Sequence, residues 1–106
     1  LAPAFVAAYD SGRALFVREQ RVRDADAALY SKRLEIARLE DRVARGAFQA
    51  ISETATPEQR TQGVLDTKQA AERIGRLKAE IAELEKERAR YAQELDAYRA
   101  TVADVR

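Results

Sequence analysis

From Ile74 to Val105 the apolar residues recur every seven positions, and this beat constrains the chain more than any other feature. Ile74, Ile81, Leu95 and Val102 form one series. Leu77, Leu84, Tyr91, Tyr98 and Val105 form a second, three residues later. These are the a and d positions of a coiled-coil helix, and so long a run is specific to that class. Arg88 is the one defect, at an a position. Gly63, Thr67 and Ala70 carry the register upstream with small residues. Gly63 and Gly75 each cost about 1 kcal/mol of helix propensity, so the early turns are expected to be the weaker part.

The first half of the chain is helical but less regular. Leu15, Val22, Leu29, Ile36, Val43 and Ala50 form a seven-residue series, with Ala25 and Leu39 beside it. A second apolar stripe runs through Phe5, Tyr9, Phe16, Tyr30, Leu34 and Phe48. At about 100° per residue it lies roughly 120° around the helix from the first. One stripe can face the other helix. The second is left in water, and an exposed row of this kind marks a contact surface for self-association or for a protein partner. The plainer alternative is that the rings widen the hairpin seam. Gly12 shares a face with Phe5, Tyr9 and Phe16, where it would let another backbone approach closely between the rings. The helix is expected to run through Ser11-Gly12, because the period continues across it and one Gly costs only about 1 kcal/mol.

Between the two patterns stands Ser52-Glu53-Thr54-Ala55-Thr56-Pro57-Glu58. Thr56 suits an N-cap, Pro57 the first helical position, and Gln59 completes a capping box. The expected fold is all-α: a single antiparallel helical hairpin, a two-helix coiled coil, with helix 1 over about 3–52, a turn at about 53–56 and helix 2 over about 57–104. Each arm of about 45 residues would span roughly 68 Å. Such a pair buries little per residue, and dimerisation through the second stripe, giving a four-helix arrangement, would add burial.

Charges at the g positions predict how the helices align. A turn centred near residue 53 sets Arg42 against Asp66, Glu35 against Arg73, and Arg21 against Glu87, all opposite in sign, whereas a slide by one heptad would set Arg42 against Arg73 and Glu35 against Glu80, which repel. The matching core layers are Leu29 with Leu77, Val22 with Leu84 and Leu15 with Tyr91. Each surface pair is worth a few tenths of a kcal/mol, so such pairs select a register more than they hold the fold. This alignment also brings Arg18 level with Arg88. Both must then snorkel outward along their stems, with Glu19, Glu85 and Glu87 as nearby partners.

Composition narrows function. The chain has 19 basic and 18 acidic side chains, a net +1, with nine and eight in residues 1–53 and ten of each in residues 54–106. Neither half is a basic arm, so no nucleic acid is expected as a partner. Acidic residues interleave the amphipathic face of helix 1, which argues against a membrane-surface role. Cys and His are absent, which excludes thiol chemistry and Cys/His zinc sites. There is no Gly-rich phosphate loop, nucleophile elbow or EF-hand spacing. Adjacent carboxylates such as Glu83 with Glu87, Asp24 with Asp26 and Glu40 with Asp41 read as solvated surface charge. Acid–base work needs a desolvated pocket, and two helices offer none. No catalytic, cofactor-binding or metal residues are expected, and no apolar run approaches a membrane span.

The opening segment Pro3-Ala4-Phe5-Val6-Ala7-Ala8-Tyr9-Asp10-Ser11-Gly12-Arg13-Ala14-Leu15 resembles the P-A-F-x-x-A-Y-x-x-G-R-x-L segment of the YfiL-like family of proteobacterial envelope lipoproteins. The matching positions are Pro3, Ala4, Phe5, Ala8, Tyr9, Gly12, Arg13 and Leu15, about a seventh of the chain. A charged Ala/Leu/Glu-rich coiled coil follows, as in that family. The resemblance implies a lipid-anchored protein facing the bacterial periplasm, with no assigned activity and no catalytic residues to carry over. The sequence opens on Leu1 rather than Met, which reads as a processed or trimmed product, and a signal peptide and lipidated Cys would lie upstream. The expected role is a spacer, tether or assembly subunit of the cell envelope. The alternative is a cytoplasmic coiled-coil adaptor or regulatory arm of a larger protein.

Overall fold

The computed structural model describes Ala2 to Val105, excluding the side chains of Asp104 and Val105. The expected d position at Val105 therefore lies outside the described side chains. Two helices, α1 (Pro3–Ile51) and α2 (Pro57–Val105), form an antiparallel helical hairpin, and no strand occurs among the described residues.

Local chemistry sets the helix ends. Pro3 has no amide hydrogen to lose in a first turn, and the Phe5 and Val6 amides donate to the Ala2 carbonyl at 3.0 and 3.2 Å. α1 continues through Ser11-Gly12 without a break. The start of α2 is a reciprocal capping box. The Gln59 amide donates to Thr56 Oγ1 at 3.1 Å, and the Thr56 amide donates to Gln59 Oε1 at 2.8 Å. Arg60 then reaches back across the turn. Its Nε donates to the Ser52 carbonyl at 2.9 Å and its Nη2 to the Glu53 carbonyl at 3.2 Å. Carbonyls just past the end of α1 are thereby satisfied by a side chain of α2.

The hairpin comprises two compact units, Tyr30–Ala82 and the described parts of Leu1–Leu29 with Glu83–Arg106. In the Tyr30–Ala82 unit the seam buries Ile36, Ala70 and Leu77. Leu77 is fully enclosed, which is worth about 2 kcal/mol by area burial. Nearer the turn Gly46 and Gly63 are buried against each other, with the two backbones almost touching. Ion pairs flank this seam: Arg42 with Asp66 at 3.4 Å, Arg73 with Glu35 at 3.1 Å, and Lys32 with Glu80 at 3.1 Å. The first two are the pairs expected from the g positions.

In the other unit Ala25, Leu29 and Leu95 are buried. Leu15 lines a groove with Tyr98 and Val102, not with the expected Tyr91, so this layer sits one heptad further along α2. The Tyr30–Ala82 unit has the same offset, since Gly63 lies against Ala50 and Gly46 against Thr67. The physical reason is the turn. Arg60 binds the Ser52 and Glu53 carbonyls, which ties the start of α2 to the end of α1 and fixes where α2 sets off. Long g side chains span half a heptad in either direction, which is why Arg42–Asp66 and Glu35–Arg73 survive the slide. Arg21 does not meet Glu87. It lies 3.9 Å from Glu94, while Glu87 accepts the Tyr91 hydroxyl at 2.7 Å.

The slide also separates Arg18 from Arg88. Arg88 Nε donates to Asp26 at 2.9 Å. Arg18 donates to the Ala14 carbonyl at 3.1 Å and stacks over the Tyr98 ring, 4.4 Å from its centre. Each guanidinium keeps its charge at the seam edge and its stem on the apolar surface.

Candidate functional site

The side chains left outside the seam define the candidate surface. In the unit containing the start of α1, Phe5, Tyr9 and Phe16 share one outer face and stand 60%, 62% and 59% exposed. Their spacing of four and seven residues keeps them on that face. Gly12 lies at its edge, and a β-carbon built there meets nothing within 4 Å. The close approach expected at Gly12 is therefore not used within the hairpin. Val6 and Val17 extend the exposed apolar surface of this unit.

In the Tyr30–Ala82 unit, Tyr30 and Phe48 are 70% and 73% exposed, and Leu34 is exposed as well. Ile51, Val64 and Leu65 stand out near the turn in the same unit. Sequence reasoning missed these three. They fall off both heptad series, and the one available signal was the adjacent apolar pair Val64-Leu65 among otherwise polar first turns.

Ionic side chains separate the exposed apolar ones along α1. Arg23 lies 3.9 Å from Glu19, and Arg45 lies 3.2 Å from Asp41. Glu19 also holds Arg99 of α2 at 3.6 Å. Lys32 hydrogen-bonds Glu80 and, with its charge, holds that carboxyl below the usual glutamate range.

Beside Gly12 a half-open groove of about 510 Å³ lies between Ala8, Gly12 and Leu15 of α1 and Tyr98, Thr101 and Val102 of α2. The Tyr98 hydroxyl donates to the Ser11 carbonyl at 3.0 Å on its edge. The groove is lined mainly by carbon, with no base–nucleophile pair. Among the described residues no three carboxylates gather to hold a metal ion, and no helix is long and apolar enough to cross a membrane. This arrangement can remove apolar surface from water and pair charges across a contact.

Comparison with family models, curated proteins and solved structures finds no match to this chain.

Proposed function

We propose that the chain is a non-catalytic structural or interaction module of the bacterial cell envelope, a spacer, tether or assembly subunit that works through helix-face contacts. One observation carries this reading. The buried side chains of the seam are Leu, Ile and Ala, yet large rings of α1 stand outside it in both units. Rings that the fold does not need for its own core lower the solubility of the free chain, and covering them supplies binding energy of roughly 25 cal/mol per Å² of apolar area. The near-balanced charge of +1 favours protein over nucleic acid as the covering surface. The envelope setting rests on the likeness of Pro3–Leu15 to the lipoprotein segment.

The test is site-specific photo-crosslinking of the full-length protein in its own cells. A photoreactive phenylalanine analogue placed at Phe5, Phe16, Tyr30 or Phe48 should yield discrete adducts, while the same analogue at the outward-facing Glu83 should not. Absence of adducts from every aromatic position removes the basis of the proposal. Fractionation in the same experiment separates an envelope protein from a cytoplasmic adaptor.

A further inference from the structure

Two strips on α1 carry matching residue types at matching spacings but in opposite order. In the first unit the strip reads Phe16, Glu19, Arg23, in steps of three and four. In the Tyr30–Ala82 unit, read backwards, it is Phe48, Arg45, Asp41, again in steps of three and four. Steps of three and four keep each strip on one helix face. Both rings are exposed, and the Arg23, Asp41 and Arg45 side chains are 56%, 69% and 74% exposed. Glu19, 30% exposed, also holds Arg99 of α2 and turns one edge of its carboxylate to the contact. Laid antiparallel, the strips set ring on ring, Glu19 on Arg45 and Arg23 on Asp41. Every charge meets its opposite.

The strips belong to one continuous helix, so they cannot meet inside one molecule. A second copy of the chain offers both at once. We propose that α1 of one copy packs antiparallel on α1 of a second copy about a two-fold axis, with Tyr30 of each against Leu34 of the other at the centre. A two-fold contact is self-complementary, so each pair forms twice. Parallel packing in equal register would set Arg23 on Arg23 and Asp41 on Asp41, so the charges select the orientation. This inference rests on the interaction-module reading and names its partner.

The test uses sedimentation velocity of the whole chain over a concentration series reaching hundreds of micromolar. The wild type forms a dimer. R23E and D41K each set like charges opposite one another in two places, and each weakens self-association by about tenfold. An equimolar mixture of the two variants recovers association to near the wild-type level, because in the mixed dimer every reversed charge faces its opposite. Each variant also loses a pair within its own helix, but mixing cannot restore that, so recovery reports the contact between copies. Circular dichroism confirms that both variants remain helical. A strictly monomeric wild type, a dimer indifferent to R23E, or a mixture no stronger than its components overturns the inference. Should the wild type stay monomeric while the photo-crosslinks persist, the second copy is wrong and the interaction module stands. Should both vanish, both readings fail.

Discussion

Gly63 meets Gly46 at backbone contact across the hairpin. A β-carbon at Gly63 would lie 2.6 Å from the Gly46 carbonyl oxygen and 2.9 Å from the Ala50 amide nitrogen, and one at Gly46 would lie 2.9 Å from the Gly63 carbonyl oxygen. Neither backbone can yield without parting the helices. Overpacking of this kind costs about 1–3 kcal/mol, more than the roughly 1 kcal/mol that Ala gains over Gly in a helix. Gly63→Ala and Gly46→Ala should therefore lower the melting temperature. Gly75 has nothing within 4 Å of its added β-carbon, so Gly75→Ala should raise stability by up to about 1 kcal/mol. Thermal melts of the three variants decide it, and a stabilised Gly63→Ala would mean the helices do not approach this closely.

The turn is held by one side chain of α2 and one capping box. Arg60 satisfies the Ser52 and Glu53 carbonyls, and Arg60→Ala removes both bonds at a cost of about 1–2 kcal/mol. Arg60→Lys recovers only part, since a single ammonium cannot span both carbonyls in the guanidinium's fork geometry. Thr56→Ala costs about 1 kcal/mol through loss of the cap. Urea unfolding at neutral pH measures all three, and the order Arg60→Ala below Arg60→Lys below wild type is expected.

Tyr98 ties α2 to the start of α1. Its hydroxyl donates to the Ser11 carbonyl, and Arg18 covers its ring. Tyr98→Phe keeps the ring contact and loses about 0.5–1.5 kcal/mol. Tyr98→Ala loses both and should open the surrounding helix turns locally. Amide exchange near Ser11 is the sensitive readout: faster in Tyr98→Phe, faster still in Tyr98→Ala, with the Ile36 and Leu77 amides of the other unit unchanged.

The heptad series made the fold legible, since a seam of Leu, Ile and Val repeating through two segments admits little besides a helical pair. Thr56, Pro57 and Gln59 located the start of α2 because capping chemistry is local and acts within three residues. The alignment of the helices was not legible from charge. Arg42–Asp66 and Glu35–Arg73 form in either of two core registers, because a flexible g side chain reaches half a heptad each way. What fixed the slide was the Arg60 clamp and the Gly46–Gly63 contact, and both are long-range consequences of small or flexible residues that carry no periodic signal. Propensity alone counts Gly63 as a cost, whereas its missing side chain is what admits the facing backbone. The exposed rings were visible as a second period. Their exposure followed only once the first period had claimed the seam.

Acid should act on the Lys32–Glu80 pair in a defined direction. Lys32 donates to Glu80 at 3.1 Å, and this bond, then the lysine charge, lowers the Glu80 carboxyl below its ordinary value. In the unfolded chain the carboxyl titrates at that ordinary value, so the unfolded state takes up the proton first as pH falls. The pair's contribution is therefore fully present above the ordinary glutamate range and lost as pH drops through the lowered folded-state value. Both groups are substantially exposed, so the effect is small and screened by salt. Other paired carboxylates titrate nearby, and the difference between wild type and Lys32→Met isolates this one. The wild type should lose more stability than Lys32→Met between neutral pH and the acid limit at low ionic strength, and the gap should close in about 1 M salt. Equal acid slopes for the two proteins at low salt would show that Lys32 does not hold Glu80 in solution.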